Sequence, residues 1–213
     1  PGGSCRLCAP TGGAPSGLNC GRLTLADGPP VRMGGIGTPA PCGCTPGGKP
    51  IMFFTILALA EAGDEVIYPN PGFPIYESMI RFAGATPVPM RLREELDYNP
   101  DIDELRSLVT PRTKLIIINS PNNPCGSVIP EKDLKAIAEL ASEADAVVLS
   151  DEIYKDFYFE GEHVSITKFP GMRERTIVLD GLSKSYAMTG WRIGYGLFPH
   201  ELVEPISRLV TNS

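Results

Sequence analysis

The sequence predicts an α/β fold in which helices cover both faces of a mostly parallel β-sheet. Three short runs, KLIIIN at 114–119, AVVLS at 146–150 and TIVLDG at 176–181, are almost entirely apolar. Strands that lack polar alternation are typical of parallel sheets buried on both faces. Stretches with helical character separate these strands, and this alternation is the order in which parallel strands are joined.

The first half of the predicted fold alternates helices and strands from about residue 45. Residues 48–62 are rich in Ile, Leu, Phe and Ala and predict a buried helix that ends at Gly63. EVIYP at 65–69 predicts a strand, residues 73–82 a second helix, and TPVPM at 86–90 another strand. A helix between two strands is the usual crossover of a parallel pair.

The second half continues this alternation up to the strand at 176–181. Residues 102–108 predict a short helix before the strand at 114–119. A longer helix follows, with Pro130 near its start, where proline is tolerated. Its buried face is formed by Leu134, Ile137, Ala138 and Ala141. We therefore expect the core strands to share one direction.

The first 44 residues differ sharply in composition from the rest. They contain 11 Gly, 7 Pro and 5 of the 6 Cys, but no Phe, Tyr, Trp or Lys. Such a segment cannot bury enough apolar surface to offset the entropy lost on ordering. We therefore divide the chain into an irregular segment at 1–44, either disordered or foreign to the domain, and a domain at 45–213.

The cysteines of this first segment raise the alternative of a zinc site. Cys5 and Cys8 have the CxxC spacing of zinc ligands, and Cys42 and Cys44 form a second pair. The CxC spacing of the second pair is too short, and no strand or turn pattern indicates a zinc ribbon. We expect no metal site.

The composition of the whole chain argues against nucleic-acid and membrane partners. The formal net charge is −6 and no block of Lys and Arg interrupts it, whereas nucleic-acid surfaces are basic. The longest apolar run, at 51–60, is too short to span a bilayer. No signal-peptide pattern opens the sequence, and we expect a cytoplasmic protein.

Polar residues follow three of the predicted strands. The strand at 114–119 leads to Asn123, the strand at 146–150 to Asp151, and the strand at 176–181 to Lys184. Ligands of open parallel sheets bind beyond the carboxyl ends of the strands. We therefore expect these three side chains to converge on one site.

Lys184 indicates the chemistry of this site. A lysine at the end of a buried strand is costly to desolvate unless it is paired or neutralised. A Schiff base with an aldehyde removes that cost and anchors covalent catalysis. Pyridoxal phosphate is the common aldehyde cofactor of this kind, and it needs an acid for its ring nitrogen, donors for its phenolic oxygen, an aromatic face and an anion cradle.

The sequence supplies a residue for each of these needs. Asp151 is a candidate to keep the ring nitrogen protonated, and Asn123 and Tyr154 are candidates to donate to the phenolic oxygen. Arg192 suits a phosphate group because a guanidinium binds it in a bidentate manner. The remaining candidates are Gly48 and Lys49, at the start of a helix for the phosphate, and Phe73 as a face for the ring.

Three segments together resemble the signature segments of the class I pyridoxal-phosphate-dependent aminotransferases, the group similar to aspartate aminotransferase. They are SPNNPCG at 120–126, SDEIYKDF at 150–157 and LSKSYAMTGWRIGY at 182–195, in the order of that family. The resemblance implies the major domain of fold type I. It also implies a homodimer in amino acid metabolism that moves an amino group between an amino acid and a 2-oxo acid.

The same resemblance assigns roles to individual residues. It implies Lys184 as the Schiff-base lysine, Asp151 on the ring nitrogen, and Asn123 and Tyr154 on the phenolic oxygen. It also implies that Arg192 binds the phosphate. Gly48 and Lys49 would lie at the phosphate-binding helix.

The sequence departs from that family at several points. Where the family has a phosphate-binding serine three residues before the lysine, this chain has Gly181, and Ser183 is expected to supply the hydroxyl. The family's small second domain, with the arginine for the substrate carboxylate, is expected to be absent. So is the N-terminal segment whose tyrosine reaches the partner's phosphate.

The residues also have non-catalytic explanations. Lys184 alone is typical of a solvated loop, Asp151 of a helix N-cap, and Asn123 of a turn before proline. We assign Trp191 to packing. The alternatives for the whole chain are another fold type I reaction, such as β-elimination or racemisation, a ligand-sensing domain of a regulator, and a catalytically incompetent remnant.

Overall fold

The computed structural model describes residues 42–159 and 161–212 of the 213-residue chain. The strands are β1 (Cys42–Pro46), β2 (Glu65–Asn70), β3 (Thr86–Arg91), β4 (Thr113–Asn119), β5 (Val147–Asp151), β6 (Thr176–Gly181) and β7 (Ile193–Leu197). The α-helices are α1 (Lys49–Leu59), α2 (Ile75–Phe82), α3 (Ile102–Leu108), α4 (Glu131–Glu143), α5 (Leu182–Ser185) and α6 (His200–Thr211). Short 3₁₀ helices are Glu94–Leu96, Lys155–Phe157, Ile166–Lys168 and Thr189–Trp191.

The seven strands form one mixed sheet in the order β1-β7-β6-β5-β4-β2-β3. The five strands from β2 to β6 run parallel to one another, whereas β7 is antiparallel to both β6 and β1. The prediction of a mostly parallel sheet with helices is therefore confirmed. The strand at 176–181 has the predicted bounds, and the other predicted strands agree within one residue at each end.

Sequence reasoning missed three elements at the two ends of the described chain: β1, β7 and α6. β1 begins at Cys42, three residues before the predicted domain boundary. The rest of the segment predicted to be irregular, which includes Cys5 and Cys8, lies outside the described residues. The sequence of β1, CGCTP, has no apolar pattern, and that of β7 contains two glycines. Both strands depend on their pairing, from Cys42 with Leu197 to Pro46 with Ile193, which no local pattern reports.

The side chains of β4 show how both faces of the sheet are buried. Leu115 and Ile117 pack in the core that includes residues of α1, α2 and α6, whereas Ile116 and Ile118 pack in the core that includes residues of α3 and α4. All four side chains are almost inaccessible to solvent. Burial of each such side chain stabilises the fold by about 1.5–3 kcal/mol. In the part of the chain that the structure describes, no helix has the length and apolar character needed to cross a membrane.

β7 and the start of α1 meet backbone to backbone at Gly194. A Cβ atom at this position would lie 2.5 Å from both Gly47 O and Gly48 N, which is closer than non-bonded atoms approach. This close approach fixes the start of α1 against β7, the strand that directly follows Arg192.

Replacing Gly194 with alanine should destabilise the fold by about 3 kcal/mol or more, because two backbone segments would have to separate. Gly190→Ala is a matched control, since a Cβ there would meet no atom within 4 Å. Urea unfolding of both variants measures the difference. Equal free energies of unfolding for the two variants would contradict the packing described at this junction.

Candidate functional site

A cavity of about 200 Å³ lies at the carboxyl ends of β4, β5 and β6 and against the start of α1. It is lined by all the site residues that the sequence predicts, which are Gly48, Lys49, Phe73, Asn123, Asp151, Tyr154, Ser183, Lys184 and Arg192. The expected convergence of strand ends therefore occurs, while the binding role of each residue stays a prediction. The cavity is also lined by residues that sequence reasoning missed, namely Met52, Asn119, Ile153, Leu179 and Thr189.

Asp151 ends β5 and presents a buried carboxylate to the cavity. Its Oδ2 accepts a 2.6 Å hydrogen bond from Tyr76 Oη, and its Oδ1 accepts a 3.2 Å bond from the Ile153 N–H. Burial raises the pKa of Asp151 to about 6, the two hydrogen bonds oppose that rise, and the charges of Asp180 and Glu152 add to it. The bond to Ile153 is a cap-like contact of the kind that the non-catalytic explanation proposed, but it uses only one carboxylate oxygen.

Tyr76 is the residue of this site that the sequence least indicated. It lies in α2, is completely buried, and donates its only hydroxyl proton to Asp151. Burial raises the pKa of Tyr76 well above its ordinary value, and the neighbouring Asp151 charge raises it further, so the hydroxyl remains a donor. A tyrosine on the buried face of an amphipathic helix is typical of a core aromatic, and no spacing in the sequence distinguishes Tyr76 from one.

Asn119, at the end of β4, holds the turn that carries Asn123. Its Nδ2 donates to the Asp151 carbonyl oxygen at 3.0 Å, and its Oδ1 accepts from the Asn123 N–H at 2.7 Å. The side chain is buried and both of its polar atoms are satisfied, so it fixes β4, β5 and the turn in one arrangement. The strand-end rule that selected Asn123 would have selected Asn119 equally well.

Lys184 lies in α5 and its side chain is exposed, so the expectation of a buried lysine was wrong. β6 ends at Gly181, and the lysine stands beyond the strand at the rim of the cavity. Its Nζ lies 5.3 Å from the centroid of the Tyr154 ring, a cation–π distance. The amine is therefore accessible to an aldehyde that enters the cavity, and desolvation is not the reason for its position.

Gly181 occupies the position where the resembling family has a serine. A Cβ atom here would lie 2.9 Å from Ile193 O and 3.1 Å from Gly194 Cα. The backbone of β7 thus leaves little room for a side chain at this position. Ser183 does line the cavity, as the sequence predicts for the replacement hydroxyl, and Thr189 brings a second hydroxyl that was not predicted.

The start of α1 brings backbone donors and positive charge to the cavity. Gly48 is the N-cap and Lys49 the first residue of the 11-residue helix, which has no acidic residue in its first turn. Amide groups at a helix start lack intrahelical acceptors, and the helix dipole favours an anion beside them. Lys49 Nζ lies 5.5 Å from the centroid of the Phe73 ring, so the cation and the aromatic face stand together.

Arg192 is held beside this helix start by its own backbone and by two carbonyl groups. Its φ of 51° is left-handed, and its Nη1 and Nη2 donate to Thr189 O at 3.2 Å and Pro46 O at 3.3 Å. A side chain at Gly47, whose φ is 86°, would clash with the guanidinium. The sequence TPGGK therefore provides a glycine where the arginine needs space.

These side chains fit pyridoxal phosphate as a bound group. The cavity combines a primary amine, a buried carboxylate, an aromatic face at Phe73 and a helix start with two cationic side chains. A phosphate matches the helix start and its cations, and a protonated pyridine nitrogen matches Asp151. Among residues 42–159 and 161–212, no group of three or more His, Cys, Asp or Glu could hold a metal ion.

Trp191 does not pack in the core, so its assignment to packing was wrong. Its side chain is 69% exposed, and that of Tyr186 is 67% exposed. Both lie in the segment between Lys184 and Arg192, next to the cavity. The aromatic character that suggested core packing instead forms part of the surface around the site.

A sequence profile of a known family matches residues 42–212, and the family is described as aminotransferase class I and II. The chain is 42% identical over 178 residues to an aspartate/prephenate aminotransferase of Thermus thermophilus, and 44% identical over 150 residues to an aspartate aminotransferase of Pyrococcus abyssi. These matches cover 83% and 70% of this chain, but only 45% and 39% of those proteins. The chain thus spans less than half the length of these relatives.

Solved structures give the same result. A single mutant of Thermus thermophilus aspartate aminotransferase superposes with a TM-score of 0.78 at 40% identity, covering 81% of this chain and 44% of that one. An aromatic aminotransferase from Pyrococcus horikoshii superposes with a TM-score of 0.78 at 38% identity, over 81% of this chain and 46% of its own.

Proposed function

The chain belongs to the family of class I and II aminotransferases, and on this premise we propose that it binds pyridoxal 5′-phosphate through a Schiff base with Lys184. We further propose that the whole protein transfers an amino group between an amino acid and a 2-oxo acid. The observation that supports this most is the single cavity in which an amine, a buried carboxylate and a cationic helix start converge.

The bound cofactor supplies an electron sink for the negative charge that develops on the substrate Cα. Asp151 holds a proton on the ring nitrogen, and Tyr76 holds the carboxylate in place for it. Asn123 and Tyr154 donate to the phenolic oxygen. The phosphate is bound by the amides of Gly48 and Lys49, by Arg192 and by Ser183.

Lys184 would also move a proton once it is no longer bonded to the cofactor. Its free ε-amine would take the proton from the substrate Cα as a general base and would deliver it, as a general acid, to the carbon to which the lysine had been bonded. An exposed amine at the rim of the cavity can move between these two positions, because the described structure gives it no ion pair or hydrogen bond, only the Tyr154 ring contact.

We also propose that two copies of the protein associate beside this site. Tyr186 and Trp191 present large aromatic surface at the rim of the cavity, and exposed aromatic side chains next to a site are typical of covered interfaces. A homodimer places that surface out of water. Light scattering of the purified protein measures the mass, and a monomer at micromolar concentration would contradict this part of the proposal.

Borohydride reduction tests the cofactor proposal directly. The chain is incubated with pyridoxal phosphate, reduced, digested and mapped by mass spectrometry, and we expect the pyridoxyl group on Lys184. Lys49, the other lysine of the cavity, is the internal control and should remain unmodified. Modification elsewhere, or none, would contradict the site.

Product analysis tests the reaction class in the whole protein. Incubation with an amino acid and a 2-oxo acid should yield the exchanged amino acid and oxo acid in equal amounts. Release of ammonia would indicate β-elimination, and loss of optical purity without exchange would indicate racemisation. Binding without any product would leave the chain as a cofactor-binding remnant.

A further inference from the structure

A second buried carboxylate, Asp180, lies beside the cavity but does not line it. It sits in β6 with 3% of its surface exposed. Its Oδ2 contacts Lys155 Nζ at 2.5 Å and accepts from Tyr195 Oη at 2.5 Å, while its Oδ1 accepts from the Gly181 N–H at 2.6 Å. None of these groups has a role in the cofactor binding or the proton transfer proposed above.

Asp180 and its two side-chain partners, Lys155 and Tyr195, lie in three separate segments of the chain, and each is close in sequence to a site residue. Lys155 directly follows Tyr154, and Asp180 itself lies in β6, four residues before Lys184. Tyr195 lies in β7, three residues after Arg192. One carboxylate therefore joins the segments that carry the phenolic-oxygen donor, the amine and the phosphate-binding arginine.

The pKa shifts of Lys155 and Tyr195 agree with the geometry, because both groups interact directly with the Asp180 carboxylate. Burial lowers the pKa of Lys155, but the charge and hydrogen bond of Asp180, together with the charges of Glu152 and Asp156, more than offset this and leave the pKa raised. Burial also raises the pKa of Tyr195, and the Asp180 charge adds to the rise, so the phenol stays a donor. If one member of a buried pair is removed, its partner is left as an uncompensated charge, whereas removing both members costs much less.

We propose that Asp180, through Lys155 and Tyr195, is a positioning residue that fixes the Tyr154, Lys184 and Arg192 segments relative to one another. The inference rests on the proposed function, because these segments matter together only if they bind one cofactor. It concerns residues that do not touch the cofactor themselves. If the Asp180 carboxylate is removed, we expect these three segments to shift relative to one another.

Hydrogen exchange of the cofactor-free 213-residue chain tests the positioning without any need for binding. Asp180→Asn should raise amide exchange several-fold at 153–158, at 182–192 and in β7, while β4 stays protected. Glu131→Gln is the matched control, because Glu131 forms an exposed 3.0 Å ion pair with Lys168 between two elements away from the site. Unchanged exchange, or an equal rise throughout the sheet, would overturn the proposal.

Cofactor binding gives a second test that separates this inference from the proposed function. Lys155→Met should weaken pyridoxal phosphate affinity about tenfold, and the double variant Lys155→Met/Asp180→Asn should recover part of that loss, because the two residues are coupled. Lys155→Arg, which keeps the cation, should retain most of the affinity. At saturation, Lys155→Met and Asp180→Asn should also shift the visible spectrum of the bound cofactor, which a loss of stability alone would not do.

The outcomes are distinct. A parent chain that binds the cofactor on Lys184, with single variants that bind equally well and show the same spectrum, overturns the positioning role and leaves the function intact. Additive effects in the double variant also overturn it. A parent chain that fails to bind contradicts the proposed function, and the exchange experiment then decides the positioning role by itself.

Discussion

Replacing Lys184 with alanine is expected to abolish the visible absorbance of the chain loaded with pyridoxal phosphate and to lower transamination by the whole protein about 10⁴-fold or more. The reason is that this one amine both forms the covalent bond and moves the proton. The other lysine of the cavity, Lys49, stands over the Phe73 ring at the helix start and is placed for the phosphate. Absorbance titration and steady-state rates measure the two effects.

Two controls separate the covalent bond from charge and from folding. Lys184→Arg keeps the positive charge but forms no Schiff base at neutral pH, so it should also lose the band. Lys135→Ala removes an exposed lysine of α4 and should leave band and rate unchanged. Survival of the band in Lys184→Ala would show that another residue forms the Schiff base.

Replacing Asp151 with asparagine is expected to stabilise the cofactor-free chain at neutral pH by about 3 kcal/mol while it removes most activity. The ordinary pKa of an aspartate is 3.8, and burial raises that of Asp151 to about 6. Between these values the folded chain binds more protons than the unfolded chain, so its stability falls as the pH rises through this window. Above it, the buried charge destabilises the fold by the full amount.

The pH dependence of unfolding isolates this contribution. The free energy of unfolding of Asp151→Asn, minus that of the parent chain, should be small below pH 3.8 and rise to its full value above pH 6. Asp145→Asn is the control, because this exposed aspartate has a left-handed backbone, with φ 51°, that asparagine also tolerates. If the difference in free energy of unfolding did not change with pH, the pKa of Asp151 would not be raised in the folded chain.

Asp151→Asn also tests the proposed role of this carboxylate in catalysis. With cofactor bound, asparagine cannot hold a proton on the ring nitrogen, so the rate of transamination should fall by a factor on the order of 10² to 10⁴. Tyr76 would still have the amide oxygen to donate to, although the Ile153 N–H would then face the amide nitrogen and lose its acceptor. Stability gained and activity lost at one position would identify a carboxylate that is kept for chemistry and not for folding.

The features that could be predicted from the sequence are those that local patterns specify. The apolar runs of β4, β5 and β6 predict parallel strands, and the carboxyl-end rule then brings Asn123, Asp151 and Lys184 together. The expected burial of Lys184 was wrong, and β1, which begins at Cys42, was missed because its formation depends on its pairing with β7. Tyr76 and Asp180 were missed for a related reason, since a hydrogen bond across 75 residues or an ion pair between β6 and a 3₁₀ helix leaves no periodic signal.

The sheet order has a consequence for synthesis. β1 leads into the phosphate-binding helix α1 near the beginning of the described chain, but its strand partner β7 lies near the end, with Cys42 paired to Leu197. During synthesis, β1 and the start of α1 therefore emerge well before β7, and β1 can pair only once residues 193–197 are available. A nascent chain that stops at the end of β6 holds Asp151 but lacks Arg192, so the proposed phosphate site is completed only after β6 has been made.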